Sequence, residues 1–168
     1  PKLAEFIKPT LFPAAMEALG QLGNGLLGPM WFHPTFPFAS SLTGETAQEM
    51  CDDFEKRNNM QWQQPILHYV VFEWVVDVLK RTTNVDDKEE IMKRVAETNM
   101  PMTIAGPIDF TAPLADRTKH VVPNVAGCEL YGGQWRLSEG GKYMYDLFVC
   151  SNASAPSITV QDTVKPLV

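Results

Sequence analysis

Ile66-Leu-His-Tyr-Val-Val-Phe-Glu-Trp-Val-Val-Asp-Val-Leu-Lys80 is apolar on almost every side. Leu67, Val70, Val71, Trp74 and Val78 recur at helical spacing, and Ile66, Tyr69, Phe72, Val76 and Leu79 fill the neighbouring stripe. Only Glu73, Asp77 and Lys80 interrupt them, as a narrow polar ridge. The pattern predicts a helix inside a large core, yet the sequence around it is short and rich in turns. A bilayer-spanning helix needs roughly 20 mainly apolar residues, and this run is shorter and charged at its end.

Upstream of this run, Pro65 suits a first helical turn, where its missing N–H costs nothing. The polar stretch Asn58 to Gln64 reads as a loop. Before it, Ala47, Met50, Cys51 and Phe54 mark one face of a helix that ends near Arg57, with Thr43 or Thr46 available as its cap. His33 to Leu42 is punctuated by Pro34 and Pro37 and predicts an extended crossing segment, whose neighbours Trp31 and Phe32 and whose own Phe36 and Phe38 need a surface to pack on. Further upstream, Leu26 to Phe32 reads as a strand bent at Gly28-Pro29. Pro13 and Gly20 bracket a short helix. Leu3, Phe6 and Ile7 predict an amphipathic turn stopped by Pro9.

Downstream, Asp86 with Glu89 predicts a capping box for a helix with Ile91, Met92, Val95 and Ala96 on its apolar face. Met102 to Phe110 reads as a strand, and Thr111 to Lys119 as a second irregular crossing. A hairpin of Val121–Trp135 with Tyr143–Cys150 turns at Ser138 to Lys142, and a polar tail follows. Cys128 and Cys150 lie almost opposite in that hairpin. They read either as a cross-strand disulfide or as two unpaired thiols, the latter if Gly132-Gly133 adds a bulge that shifts the register.

The 168 residues are enough for one domain with a real core. Net charge is −6 and the isoelectric point is near 5.0, and Lys and Arg cluster only in pairs at predicted helix ends. That leaves no electrostatic footprint for nucleic acid. No signal-peptide pattern stands at Pro1. The alternation of helices and strands, interrupted by two irregular segments, implies an α/β chain that passes between two lobes more than once.

In this order of elements the sequence resembles the C-terminal part of a type 1 periplasmic solute-binding protein, the branched-chain amino-acid receptor class of ABC transporters. The resemblance rests on Gly23-Asn-Gly-Leu-Leu27 before a strand, Trp31-Phe-His-Pro34 entering a crossing, and the helix through Tyr69 and Phe72-Glu73. It continues through Asp87-Lys-Glu-Glu-Ile91, Gly106-Pro-Ile-Asp-Phe110 and Gly132-Gly-Gln-Trp135. It implies a two-lobed Rossmann-like α/β fold, with residues 1–32 ending lobe two, 33–112 forming late elements of lobe one with hinge crossings, and 113–168 returning to lobe two. An N-terminal half of the same receptor would then supply the sheet that covers the apolar helix.

The function so implied is non-enzymatic capture of a small solute, amino-acid-like, an aromatic acid or an amide. The receptor delivers it to an ABC permease from the periplasm, without cofactor or metal. Ligand-sensing domains of the same fold are the alternative. A small hydrolase built on Cys51 or Ser40/Ser41 lacks a nucleophile elbow. His33, His68 and His120 are too scattered to suggest metal ligation.

Six residues are candidates for the ligand site: Tyr69, His68, Gln21, Trp31, His33 and Phe12. Tyr69 and His68 fall where the family places an aromatic at the cleft edge, with burial in the core as the competing account. Gln21 takes the loop where amino-acid receptors carry an acidic side chain towards the ligand ammonium; a solvated helix-end amide is the other reading. Trp31 and His33 stand at the carboxyl end of a strand, where open α/β sheets place ligands, and hinge packing competes. Phe12, and more weakly Trp62, Gln63 and Gln64, lie near the same crossings.

Overall fold

A computed structural model describes residues 2–113 and 121–167. The chain forms two units: one from Pro1–Pro37, Ala47–Ile66 and Glu129–Val168, the other from Phe38–Thr46 and Leu67–Cys128. The stretch 47–66 therefore groups with the first unit and not with the elements that follow it.

The first unit is built on three antiparallel strands, β1 (Leu27–Met30), β4 (Tyr131–Leu137) and β5 (Tyr145–Ser151), with β4 in the centre. The register pairs Leu27 with Gln134 and Gln134 with Phe148. A bulge falls between Gly132 and Gly133, as the glycine pair suggests. Pro29 is tolerated because β1 lies at the sheet's edge. That edge is met by the leading segment: Phe6 N donates to Leu27 O and Leu27 N to Ala4 O, both at 2.9 Å. The expected amphipathic turn at Leu3 to Ile7 is therefore extended backbone beside β1, because the strand's unpaired amide and carbonyl offer it partners.

Helix α1 (Pro13–Ala18) starts on Pro13, and Gly20 follows its end at φ 53°. Helix α2 (Ala47–Asn58) buries Ala47 and Cys51, the centre of the predicted stripe. Phe32, Met16, Trp135, Tyr145, Val149 and Ile158 form the core beneath. The tail is pinned to the sheet: Gln161 N donates to Val149 O at 2.9 Å, and Arg136 pairs with Asp162 at 2.5 Å.

Residues Val121 to Cys128 lie outside the strands, so the expected hairpin is shorter at its start. Cys128 is exposed and Cys150 half-buried, and both are free thiols. Of the two readings of this pair, the bulged, unpaired one holds.

The apolar run begins as a 3-10 turn, Gln64–His68, whose first residues still belong to the first unit, and continues in the second unit as α3 (Tyr69–Arg81). Its exposure departs from the expectation at Glu73 and along one apolar face. Val71, Phe72, Val75 and Leu79 are exposed, Phe72 by 66%, whereas Glu73 of the expected polar ridge is 0% exposed. Glu73 is drawn in because its carboxylate meets three donors, described below. Val78 is buried, and Trp74 donates its indole N–H to Thr98 Oγ1 at 3.0 Å.

Helix α4 (Lys88–Ala96) is capped by Asp87, whose side chain accepts from the amides of Glu89 and Glu90, and not by Asp86. Glu90 reaches back instead to the amides of Thr83 and Asn84. The stretch read as one strand is a small ribbon, β2 (Asn99–Met100) against β3 (Ile108–Asp109), closed by a turn with Gly106 at φ 90°. The predicted crossing from Thr111 to Lys119 falls largely outside the described residues, as does His120.

Candidate ligand-binding site

Trp31 directly follows β1, so the strand sets where its side chain can stand. Its amide donates to Gln64 Oε1 at 2.6 Å. Gln64 is almost wholly buried, and its Nε2 donates to Thr10 O at 3.0 Å. That same carbonyl accepts the indole N–H of Trp135 at 2.8 Å. One amide side chain thus ties the end of β1, the approach to α1 and the loop after α2 together. Trp31 is half-buried and Phe12, two residues beyond Thr10, is exposed, so both retain surface for a ligand.

His33 is buried and saturated. Leu147 O can only accept, so Nε2 carries the proton and donates to it at 3.0 Å. Nδ1 is then the acceptor for the Thr35 hydroxyl at 2.7 Å and the Thr35 amide at 3.2 Å. Burial pushes the imidazole down to about 4, against the opposing pull of the Leu147 carbonyl. Trp62 packs edge-on against the ring at 5.4 Å, and Phe36 lies at 6.1 Å. This geometry favours the packing account of His33: a neutral ring held by Thr35 and Leu147 and packed against Trp62 and Phe36.

Gln21 lies exposed in the 3-10 turn Gly20–Gly23, which Tyr145 fastens by donating its hydroxyl to Gly20 O. On the second unit, His68 is exposed at the end of its 3-10 turn and Tyr69 is half-buried at the start of α3. The rings of Tyr69 and Phe72 lie 6.2 Å apart. Trp31, His33, Phe12 and Gln21 therefore belong to one unit, and His68 and Tyr69 to the other.

The strongest organiser, Gln64, was only a weak candidate in the sequence. A glutamine beside a helix-opening proline carries no signal until its two backbone partners are known. The candidate nucleophiles are poorly placed for attack. Cys51 is buried, and burial with the nearby Glu55 and Asp52 carboxylates pushes its thiol above the ordinary range. Ser41 Oγ is committed to Glu73 at 2.9 Å, and Ser40 Oγ accepts from the amides of Leu42 and Thr43.

No protein-family model matches the chain, and no curated protein matches it. Two solved structures share its fold. One is a leucine-binding protein, LivK, from Thermotoga maritima, with TM-score 0.55 and 15% identity over 85% of this chain and 35% of that one. The other is an ABC-type branched-chain amino acid transporter from Rhodopseudomonas palustris, with TM-score 0.58 and 12% identity over 99% of this chain and 39% of that one. The chain has part of the type 1 periplasmic binding-protein fold. It spans little more than a third of the length of either of these larger proteins. At these identities the likeness speaks for the fold.

Proposed function

We propose that this chain is part of a non-enzymatic receptor that captures a small solute between two lobes and delivers it to the permease of an ABC importer. The observation that carries the reading is the course of the chain. It passes back and forth between two units, in a fold shared with two amino-acid transport proteins. Hinge closure requires such crossings, and a solute favours the closed state only by touching both lobes.

The first unit corresponds to lobe two and the second to lobe one. Trp31 and Phe12 form the aromatic wall on lobe two, with Gln64 holding the Trp31 backbone. Tyr69 and His68 offer a stacking face and polar groups from lobe one. Gln21 brings a neutral amide where a carboxylate would neutralise a ligand ammonium, so the solute is an amide, an aromatic acid or an amino-acid-like molecule with another charge partner. The exposed Val71, Phe72, Val75 and Leu79 are covered by the remainder of lobe one, and the receptor works in the periplasm.

The test is a thermal-shift screen of the full-length receptor against amino acids, aromatic acids and amides. A solute at 100 times its dissociation constant adds about 2.7 kcal/mol, an easily read shift. No shift across the whole library counts against solute capture.

A further inference from the structure

The 3-10 turn Gln64–His68 runs straight into α3, and the boundary between the two units falls inside it, between Ile66 and Leu67. A 3-10 turn at the start of an α-helix is common and by itself means little. One that carries the chain from one unit into another is where bending is easiest, because its hydrogen bonds are poorer than those of an α-helix. Pro65 contributes no amide to the turn, and the His68 side chain does not cap α3.

Side chains just before the boundary are fastened to the first unit. Gln61 Nε2 donates to Tyr145 O on β5 at 2.8 Å. Trp62 lies edge-on to His33 at 5.4 Å, and His33 is bound to Leu147 O on the same strand. Gln64 comes last in this series and is 1% exposed. It accepts from Trp31 N at 2.6 Å and donates to Thr10 O at 3.0 Å. Both ends of its amide are used, so it can neither shift nor turn without breaking a buried hydrogen bond. Past the boundary the attachment changes sides. Glu73 takes Ser41 N, Ser41 Oγ and Ile104 N, all within the second unit. Pro65, Ile66 and Leu67 lie between these two anchorages, half-buried. Their apolar contacts are non-directional and tolerate small rotations that a buried hydrogen bond does not.

We infer that the turn Gln64–His68 is a hinge and that Gln64 is its fixed post, a positioning residue that confines the bend to the residues after it. The inference rests on the two-lobed reading above and adds how the Trp31 wall keeps its place during closure. His68 and Tyr69 come at or directly after the bend, so a small rotation there swings them. Trp31 stays with the first unit because Gln64 holds its amide on the near side of the bend.

The experiment is a double electron–electron resonance measurement on the full-length receptor without solute. Spin labels go on Glu139→Cys in the first unit and Asp86→Cys in the second, both exposed turn positions, with accessible native thiols replaced. Gln64→Met keeps the length of the side chain and removes both hydrogen bonds. Gln61→Met, the control, removes a buried glutamine from the same segment and leaves Trp31 and Thr10 untouched. Gln64→Met should broaden the distance distribution between the units, and Gln61→Met should leave it as in the parent. Equal distributions in Gln64→Met and the parent overturn the proposal. So does equal broadening in Gln61→Met, which would mean general loosening. Hydrogen exchange on the unsubstituted receptor gives a second reading that needs no variant to fold. The Trp31 amide should be protected about tenfold or more beyond those of Leu67 and His68, the worth of one buried hydrogen bond. Comparable protection at the three amides overturns the proposal as well. Neither measurement uses a solute, so a screen without thermal shifts leaves both readable, and a failed post leaves solute capture standing.

Discussion

Glu73 takes two hydrogen bonds from Ser41, one from its amide at 2.5 Å and one from its hydroxyl at 2.9 Å. Its other oxygen accepts from Ile104 N at 3.0 Å. A fully buried carboxylate is tolerated here because backbone and hydroxyl dipoles converge on it. The side chain therefore joins α3, the segment around Ser41 and the turn before β3 within one unit. Glu73→Gln puts an NH2 against one of these donors and should cost about 1–3 kcal/mol. Urea unfolding of the variant reads the loss directly, and an unchanged midpoint would show that the network is dispensable.

His33 couples the first unit to pH. Its folded-state value, about 4, lies below the ordinary histidine value of 6.5, so the unfolded chain binds the proton first. Stability from the neutral ring is present above about pH 6.5 and is lost as pH falls towards 4, by up to ~3 kcal/mol. Replacing it as His33→Gln should flatten that part of the profile. Parallel slopes for both proteins, measured as unfolding midpoints at several pH values, would refute the assignment.

Gly28 has a tighter constraint than its place in β1 suggests. A Cβ there would stand 2.1 Å from Thr10 Oγ1, 2.7 Å from Thr10 Cβ and 3.0 Å from Phe6 O. Thr10 cannot swing aside freely, since its hydroxyl donates to Phe6 O at 2.6 Å and Ile7 O at 2.9 Å. Gly28→Ala should cost about 3 kcal/mol through overpacking. Gly140→Ala meets open space and only the strain of φ 88°, about 1 kcal/mol. Reversal of that order in denaturant midpoints would contradict the steric account.

What could be read in the sequence was local or patterned. Pro13 and Gly20 bracket α1 because both act on their own backbone, and Gly132-Gly133 makes a bulge for the same reason. The burial of Glu73 was not legible, since its partners lie 32 and 31 residues away. Asp86 was the expected cap for α4, and it is the path of the preceding loop that brings its neighbour Asp87 to the helix start instead. In the candidate site, the position of Trp31 followed from the strand before it. Gln64 gained its role from Trp31 and Thr10, which are 33 and 54 residues distant.

The outer face of α3 tests the idea that the rest of lobe one covers it. Phe72 is exposed here, so by itself it contributes little to this chain's stability. In the full-length receptor the proposal places it in a core, where Phe72→Ala should cost about 3–5 kcal/mol. A change within about 0.5 kcal/mol is typical of open surface and would mean that nothing packs there.

Tyr69 is the sharpest test of the interlobe reading because its two accounts predict opposite results. It begins α3, is half-buried, and has the ring of Phe72 at 6.2 Å. If its ring stacks on the solute, Tyr69→Ala removes contact made only with ligand bound. Affinity for the solute found by the screen should then fall roughly tenfold or more, about 1.4 kcal/mol or greater, while the unliganded melting temperature shifts little. Trp31, on the other unit, supplies an optical readout: its emission should change as the solute binds, and Trp31→Phe should diminish that change. If Tyr69 is instead a packing residue, Tyr69→Ala lowers the unliganded melting temperature and leaves the affinity of the folded fraction intact. Paired measurement of melting and affinity on the same variant separates the two, and the second outcome would remove Tyr69 from the site.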